Sequence, residues 1–175
     1  MVKKRKAIFF DRDGTIIKTK ISKDNKPIAI KNLNECKIFL STKKIFKKLK
    51  QNYLIFVITN QPDVARKKNL KKNVTEINRY LKNQLPIKKI YTCYCDNNKC
   101  KYRKPNIGML IDAEKKYKIN LKKSFVIGDR WKDIEAGKRA KCKTIFLDKK
   151  YNEKLKSKPN YSIKNLVQLK KIFKF

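Results

Sequence analysis

KAIFFDRDGT, residues Lys6–Thr15, joins a short apolar run to an acidic turn. Ala7, Ile8, Phe9 and Phe10 are too few for a helix and suit a strand buried on both faces of a parallel sheet. The run stops at Asp11, Arg12, Asp13, Gly14 and Thr15. Two carboxylates one residue apart, at the end of such a strand, point into the crevice beyond the sheet edge, where ligands of open α/β sheets usually bind. Bunched acids repel one another unless a cation lies between them, so a divalent metal is expected here. Taken alone, the stretch also fits a strand that ends in a solvated acidic turn.

The rest of the chain repeats the pattern of apolar strand and helical segment. A lysine-rich stretch over 18–31 has no helical period and reads as a short flap, too small for a separate cap domain. Ser41 or Thr42 can cap a helix to about Gln51, with Ile45, Phe46 and Leu49 on one stripe. A second strand over 53–58 ends in Thr59, Asn60, Gln61 and Pro62. A surface helix over 71–82 and a weaker strand over 87–92 follow. A helix is expected from Asn106 to about Tyr117, then a strand over 124–127 that ends in Gly128, Asp129 and Arg130. A helix carrying Asp133 stops near Gly137, and a fifth strand covers 142–147. Ile163, Leu166, Leu169 and Ile172 have helical spacing and predict a C-terminal helix packed on the sheet. The alternation predicts an α/β fold, a Rossmann-like three-layer sandwich with a mainly parallel sheet and a minimal cap. One domain over 1–175 is expected at this length.

The formal net charge of +35 raises nucleic acid or an anionic membrane as partners. Its make-up points elsewhere. Only 7 of the 49 basic residues are Arg, the residue suited to bidentate phosphate and base contacts, and the lysines are spread over nearly every segment. The charge is therefore read as compositional, and any nucleic-acid binding as non-specific. The longest apolar run, over 53–59, is far short of a membrane span of roughly 20 residues. The N-terminal residues pass straight into the first strand without a signal-peptide core. Five cysteines, three of them within eight residues, argue against a disulfide framework. A monomer in a reducing cytoplasm is expected.

On one sheet edge the strand ends collect Asp11, Asp13, Thr59 and Asp129, with Lys104 at a helix start. This set suits phosphoryl transfer. A carboxylate nucleophile divides hydrolysis into two easier steps, and a second carboxylate can protonate the leaving oxygen and then activate water. Mg²⁺ held by Asp11 and Asp129 offsets the repulsion between carboxylate and phosphate, while a hydroxyl and an ammonium hold the transferring oxygens.

Asp11–Thr15, Ile58–Gln61, Arg103-Lys104-Pro105 and Gly128–Arg130, in that order, resemble the four motifs of the haloacid dehalogenase-like phosphatases. The resemblance covers nearly the whole chain. It implies Asp11 as nucleophile, Asp13 as general acid/base, and Thr59, Asn60 and Lys104 on the phosphate. It also implies Mg²⁺ on Asp11, Asp129 and the Asp13 carbonyl, with Asp133 in support. Within the superfamily, the sequence around Thr59–Arg66, Arg103–Leu110 and Gly128–Ala136 looks like the heptose-1,7-bisphosphate 7-phosphatase group, of which histidinol-phosphate phosphatase is a close relative. A phosphorylated sugar is the substrate so implied, with Arg103 free to fork onto a second anionic group. A nucleic-acid 3′-phosphatase and a non-enzymatic basic binding protein are the competing readings.

Both groups usually carry a Cys-x-His and Cys-x-Cys zinc loop before Arg-Lys-Pro. Here Cys95 stands at the histidine position and Tyr102 at the last cysteine position, and the chain has no histidine. Cys93, Cys95 and Cys100 can supply three thiolates to Zn²⁺, with Asp96 or water as the fourth ligand. An ordinary metal-free thiol loop fits equally. Cys36 and Cys142 read as core residues.

Overall fold

The computed structural model describes residues 4–175. In chain order, β1 is Ala7–Phe10, followed by a small hairpin of β2 (Lys20–Ile21) and β3 (Pro27–Ile28). Next come α1 (Thr42–Leu49), β4 (Leu54–Asn60), α2 (Lys71–Gln84), β5 (Lys89–Cys93) and α3 (Gly108–Tyr117). The chain ends with β6 (Phe125–Gly128), α4 (Trp131–Arg139), β7 (Lys143–Leu147), β8 (Tyr161–Ile163) and α5 (Leu169–Phe173).

One six-stranded sheet has the order β5-β4-β1-β6-β7-β8, every pairing parallel. β1 is central and fully buried, as its unbroken apolar run requires. Its side chains alternate between two cores. Ile8 and Phe10 pack with Ile45, Phe46 and Leu49 of α1, Ile77 and Leu81 of α2, and Leu169 of α5. Ala7 and Phe9 pack with Met109, Leu110 and Ala113 of α3 and Ala136 of α4 on the other face. Helices on both faces of a parallel sheet make the three-layer, Rossmann-type sandwich expected from the alternation.

Strand order reverses at β1, which has β4 on one side and β6 on the other. Phe10 lies opposite Val57 and Ile127, so Asp11 leaves the sheet level with Ile58 and Gly128. Thr59 and Asp129 follow one residue later. The expected site residues thus converge at the topological switch point. The 18–31 stretch supplies only the two-residue strands β2 and β3 over this edge, in keeping with a minimal cap.

The C-terminal segment departs from the expected single helix. Ile163 ends the edge strand β8, Leu166 sits in a 3₁₀ turn, and only Leu169–Phe173 is α-helical. Two side-chain devices divide it. The Asn160 side-chain oxygen accepts from the Thr144 backbone N–H at 2.8 Å and docks the segment beside β7, and the Asn165 oxygen accepts from the Val167 N–H at 3.1 Å and opens the 3₁₀ turn. Among the described residues, no helix is long and apolar enough to cross a membrane.

Candidate active site

At the switch point a cavity of about 290 Å³ is lined by Asp11, Asp13, Thr59 and Asn60 from the strand ends, Lys104 from the loop before α3 and Asp133 from α4. Pro27, Ile28 and Ala29 of the hairpin form one wall, and Arg66, Arg103, Arg130 and Lys132 reach it from the rim.

Lys104 anchors the floor. Its Nζ donates to Asp11 Oδ1 at 2.5 Å, to Asp133 Oδ1 at 2.6 Å and to the Ile58 carbonyl at 2.8 Å. All three donors of the ammonium are therefore engaged. Asn60 holds the lysine's backbone: its Oδ1 accepts from the Lys104 N–H and its Nδ2 donates to the Lys104 carbonyl, each at 3.0 Å. Asn60 thus reaches the cavity while both ends of its amide fix the buried lysine. Burial alone drives an ammonium towards neutrality, yet Asp11 and Asp133 outweigh it and raise the Lys104 pKa.

The acids are crowded. Asp11, Asp129 and Asp133 place one oxygen each within 4.8 Å of one another. Burial pushes Asp11 up to about 7, opposed by Lys104 and reinforced by Asp133 and Asp13. Burial, then Asp11 and Asp133, raises Asp129 well above the carboxylate range. Three carboxylates against one ammonium leave two uncompensated negative charges if all ionise. Asp129 Oδ1 accepts from the Thr15 hydroxyl at 3.1 Å, but its Oδ2 is buried with no hydrogen bond of ordinary geometry among the described residues. A buried orphan oxygen in a cluster short of two positive charges fits a divalent cation with oxygen ligands. The backbone makes room for this arrangement. Gly14 has φ +83°, and a Cβ there would strike the Asp129 carboxylate, while a Cβ at Gly128 would strike that of Asp133.

Asp13 is held differently. Arg12 Nε and Nη2 donate to its two oxygens at 3.0 and 3.2 Å, and Gln61 Nε2 donates to Oδ2 at 2.7 Å and to Thr59 Oγ1 at 2.9 Å. Gln61 therefore links the two strand-end groups. Neither Arg12 nor Gln61 was singled out from the sequence. An arginine between two acids reads as a surface charge, and its complete burial here is visible only in three dimensions.

The rim forms a second positive pole. Arg66 donates to both Asp96 oxygens, from Nε at 2.7 Å and Nη2 at 2.6 Å, and Arg103 Nη2 lies 3.4 Å from Asp96 Oδ1. Arg103 Nη1 also donates to the Cys95 carbonyl at 2.7 Å, tying the arginine to the cysteine loop. Burial, with Arg103 and Arg130 nearby, pulls the Lys132 pKa down. A cluster of like charges in a cleft is suited to an anionic guest.

The cysteine loop brings its three sulfurs together as expected, but not as three free thiols. A turn, with the Cys100 N–H donating to the Asn97 carbonyl at 3.1 Å, places Cys95 and Cys100 with Cα atoms 6.4 Å apart, and these two form a disulfide. Cys93 stays free, its Sγ 3.8 Å from that of Cys100. The pair lies within one tight turn, five residues apart, and ties no separate parts of the chain together. All three sulfurs lie within 4.8 Å of one another, which fits a shared metal once the pair is reduced. Cys142 is buried and Cys36 half-buried, burial pushing their thiols up to about 12 and about 11.

A strand-end aspartate bonded to a buried lysine, with further acids gathered at a switch point, defines a phosphatase site of the carboxylate-nucleophile class. Comparison with known proteins gives the same answer by another route. Residues 6–162 match the family model described as polynucleotide kinase 3 phosphatase. A D-glycero-alpha-D-manno-heptose-1,7-bisphosphate 7-phosphatase from Campylobacter jejuni is 33% identical over 98% of this chain and 97% of its own length. The bifunctional histidine-biosynthesis protein HisB of Buchnera aphidicola is 30% identical over 85% of this chain and 43% of its own. Among solved structures, the D,D-heptose 1,7-bisphosphate phosphatase of B. bronchiseptica, complexed with magnesium and phosphate, superposes with a TM-score of 0.79 at 22% identity, covering 96% of this chain and 97% of that one. The chain belongs to the haloacid dehalogenase-like phosphatases, in the branch that contains the heptose-1,7-bisphosphate 7-phosphatases. It is a phosphoric monoester hydrolase.

Proposed function

We propose that the enzyme removes the 7-phosphate of D-glycero-D-manno-heptose 1,7-bisphosphate, the whole chain acting as one domain. Asp11 attacks phosphorus, the ester P–O bond breaks, and Asp13 delivers its proton to the sugar oxygen as it leaves. Asp13, now a carboxylate, takes a proton from water, which attacks the aspartyl-phosphate, so phosphate departs and Asp11 is restored. Lys104 and Thr59 hold the equatorial oxygens of the transferring group. Asp11, Asp129 and the Asp13 carbonyl would hold Mg²⁺, which would supply charge neutralisation there. Asp133 keeps Lys104 directed at Asp11, and Asn60 keeps its backbone in register.

One observation carries the choice of substrate: cationic side chains stand at two levels of the cavity. Lys104 serves the floor, while Arg66 and Arg103 share Asp96 at the rim. A molecule with one phosphate to lose and one to keep uses both. The heptose bisphosphatase names of relatives that match almost the whole chain support the same substrate. Zn²⁺ on the reduced thiolates of Cys93, Cys95 and Cys100 would brace the loop whose Cys95 carbonyl receives Arg103, and a reducing cytoplasm would favour those thiolates.

Phosphate release from heptose 1,7-bisphosphate, histidinol phosphate and a 3′-phosphorylated oligonucleotide tests the assignment. The heptose bisphosphate is expected to have the highest kcat/KM by at least about tenfold. A faster rate with either of the others transfers the assignment to that substrate while leaving the chemistry at Asp11 intact.

A further inference from the structure

Asp129 has a neighbour that neither the motifs nor the reaction above uses. The hydroxyl of Tyr151, in the loop after β7, lies beside the orphan Asp129 Oδ2, and both crowd the point where a Cβ on residue 14 would stand, the hydroxyl 2.8 Å from it. Tyr151 also lines a second cavity, of about 230 Å³, bordered by Asp129, Trp131 and Phe146. Tyr151 and Asp129 thus border this cavity together.

The loop is held firmly enough to fix a hydroxyl. Arg130 Nε and Nη2 donate to the two oxygens of Glu153 at 3.1 and 2.8 Å. Asn25, at the turn of the β2–β3 hairpin, donates from Nδ2 to the Lys150 carbonyl at 2.6 Å and accepts the Asn152 N–H at 3.0 Å. A phenol carries one proton that it can direct at a carboxylate oxygen beside it. A carboxylate with Thr15 on one oxygen and a fixed phenol beside the other has little freedom to rotate. Its remaining lone pairs are then presented in one orientation.

We propose that Tyr151 is a positioning residue for the divalent-cation site, its hydroxyl orienting Asp129. This rests on the reading of Asp129 as a Mg²⁺ ligand. Groups that orient metal ligands typically cost about 10-fold or more in metal affinity when removed.

The test is a calorimetric Mg²⁺ titration of the full chain, wild type beside Tyr151→Phe and Asp129→Asn, with melting temperatures in EDTA as the control for folding. Tyr151→Phe keeps the ring and removes only the hydroxyl. It is expected to bind Mg²⁺ about 10-fold more weakly while melting in EDTA within about a degree of wild type. Asp129→Asn is expected to abolish measurable binding. If Asp129→Asn loses Mg²⁺ and Tyr151→Phe binds within twofold of wild type, the positioning role is wrong and the metal site stands. Wild-type affinity in Asp129→Asn overturns both.

Discussion

Arg12 grips its own neighbour, Asp13, with Nε and Nη2 on the two carboxylate oxygens at 3.0 and 3.2 Å, from a position with no solvent exposure. The remaining terminal nitrogen, Nη1, donates to Asn78 Oδ1 at 2.9 Å, and Asn78 Nδ2 donates to Thr92 Oγ1 at 3.0 Å. Asp13, the general acid/base of the proposed reaction, is therefore tied through α2 to β5. Arg12→Met should leave Asp13 and Asn78 short of donors, costing roughly 1–3 kcal/mol of stability. Misplacing the proton donor should lower kcat by about 10²-fold. Urea unfolding and steady-state kinetics measure the two effects. A variant with wild-type kcat would show that Asp13 does its work without the fork.

Asp11 ties chemistry to stability. Without a cation its pKa is raised from 3.8 to about 7, chiefly by burial. Between these values the folded chain binds a proton that the unfolded chain has lost, so stability falls as pH rises through that window. Asp11→Asn removes this titration. In EDTA the wild-type melting temperature should fall between pH 5 and pH 8, and the variant's should fall less. Mg²⁺ should stabilise the wild type more at pH 8 than at pH 5, because it binds the ionised cluster. Turnover should drop by several orders of magnitude in Asp11→Asn, which a phosphate-release assay reads directly. Equal pH slopes in EDTA would mean that another group dominates.

Arg103 is committed on three sides, to Asp96, to the Cys95 carbonyl and, from Nε at 3.3 Å, to Asn98 Oδ1, yet it lines the cavity. Arg103→Ala should therefore act on substrates unequally. A bisphosphate should lose about 10²-fold in kcat/KM and a monophosphate about tenfold or less, since only the first presents an anion to the rim. Equal losses with both substrates would assign Arg103 to the fold of the loop alone.

For the cysteine loop, protein purified in reductant without chelator should carry about one equivalent of zinc. Oxidation that pairs Cys95 with Cys100 should release it, because a disulfide removes two of three thiolates. Metal analysis and a zinc-binding dye follow both steps. Zinc far below one equivalent in the reduced protein would leave the loop as a plain thiol–disulfide pair.

Much of this site could be read from the chain before folding. β1, β4, β6 and β7 are continuous apolar runs, and a buried parallel strand needs little else, so Asp11, Thr59 and Asp129 could be placed at its edge. β8 was not legible: two of its three residues are exposed, and its apolar spacing of three suits a helix as well as a strand followed by a 3₁₀ turn. The partners of the motif residues were hidden for a different reason. Tyr151 meets Asp129 across 22 residues, and Gln61 reaches Asp13 across 48, by the packing of separate loops. No local pattern marks such encounters.

The hairpin over the cavity has a consequence for what the site will admit. With strands of two residues each, it roofs one wall and leaves the opposite mouth clear. Among the described residues no separate domain covers the cavity, the kind of lid whose opening and closing can set the pace of turnover. A phosphomonoester on a long tether can place its phosphate at Lys104 while the remainder trails into solvent. Selectivity is then decided by charge at the threshold, and the enzyme lends itself to capture on an immobilised ligand.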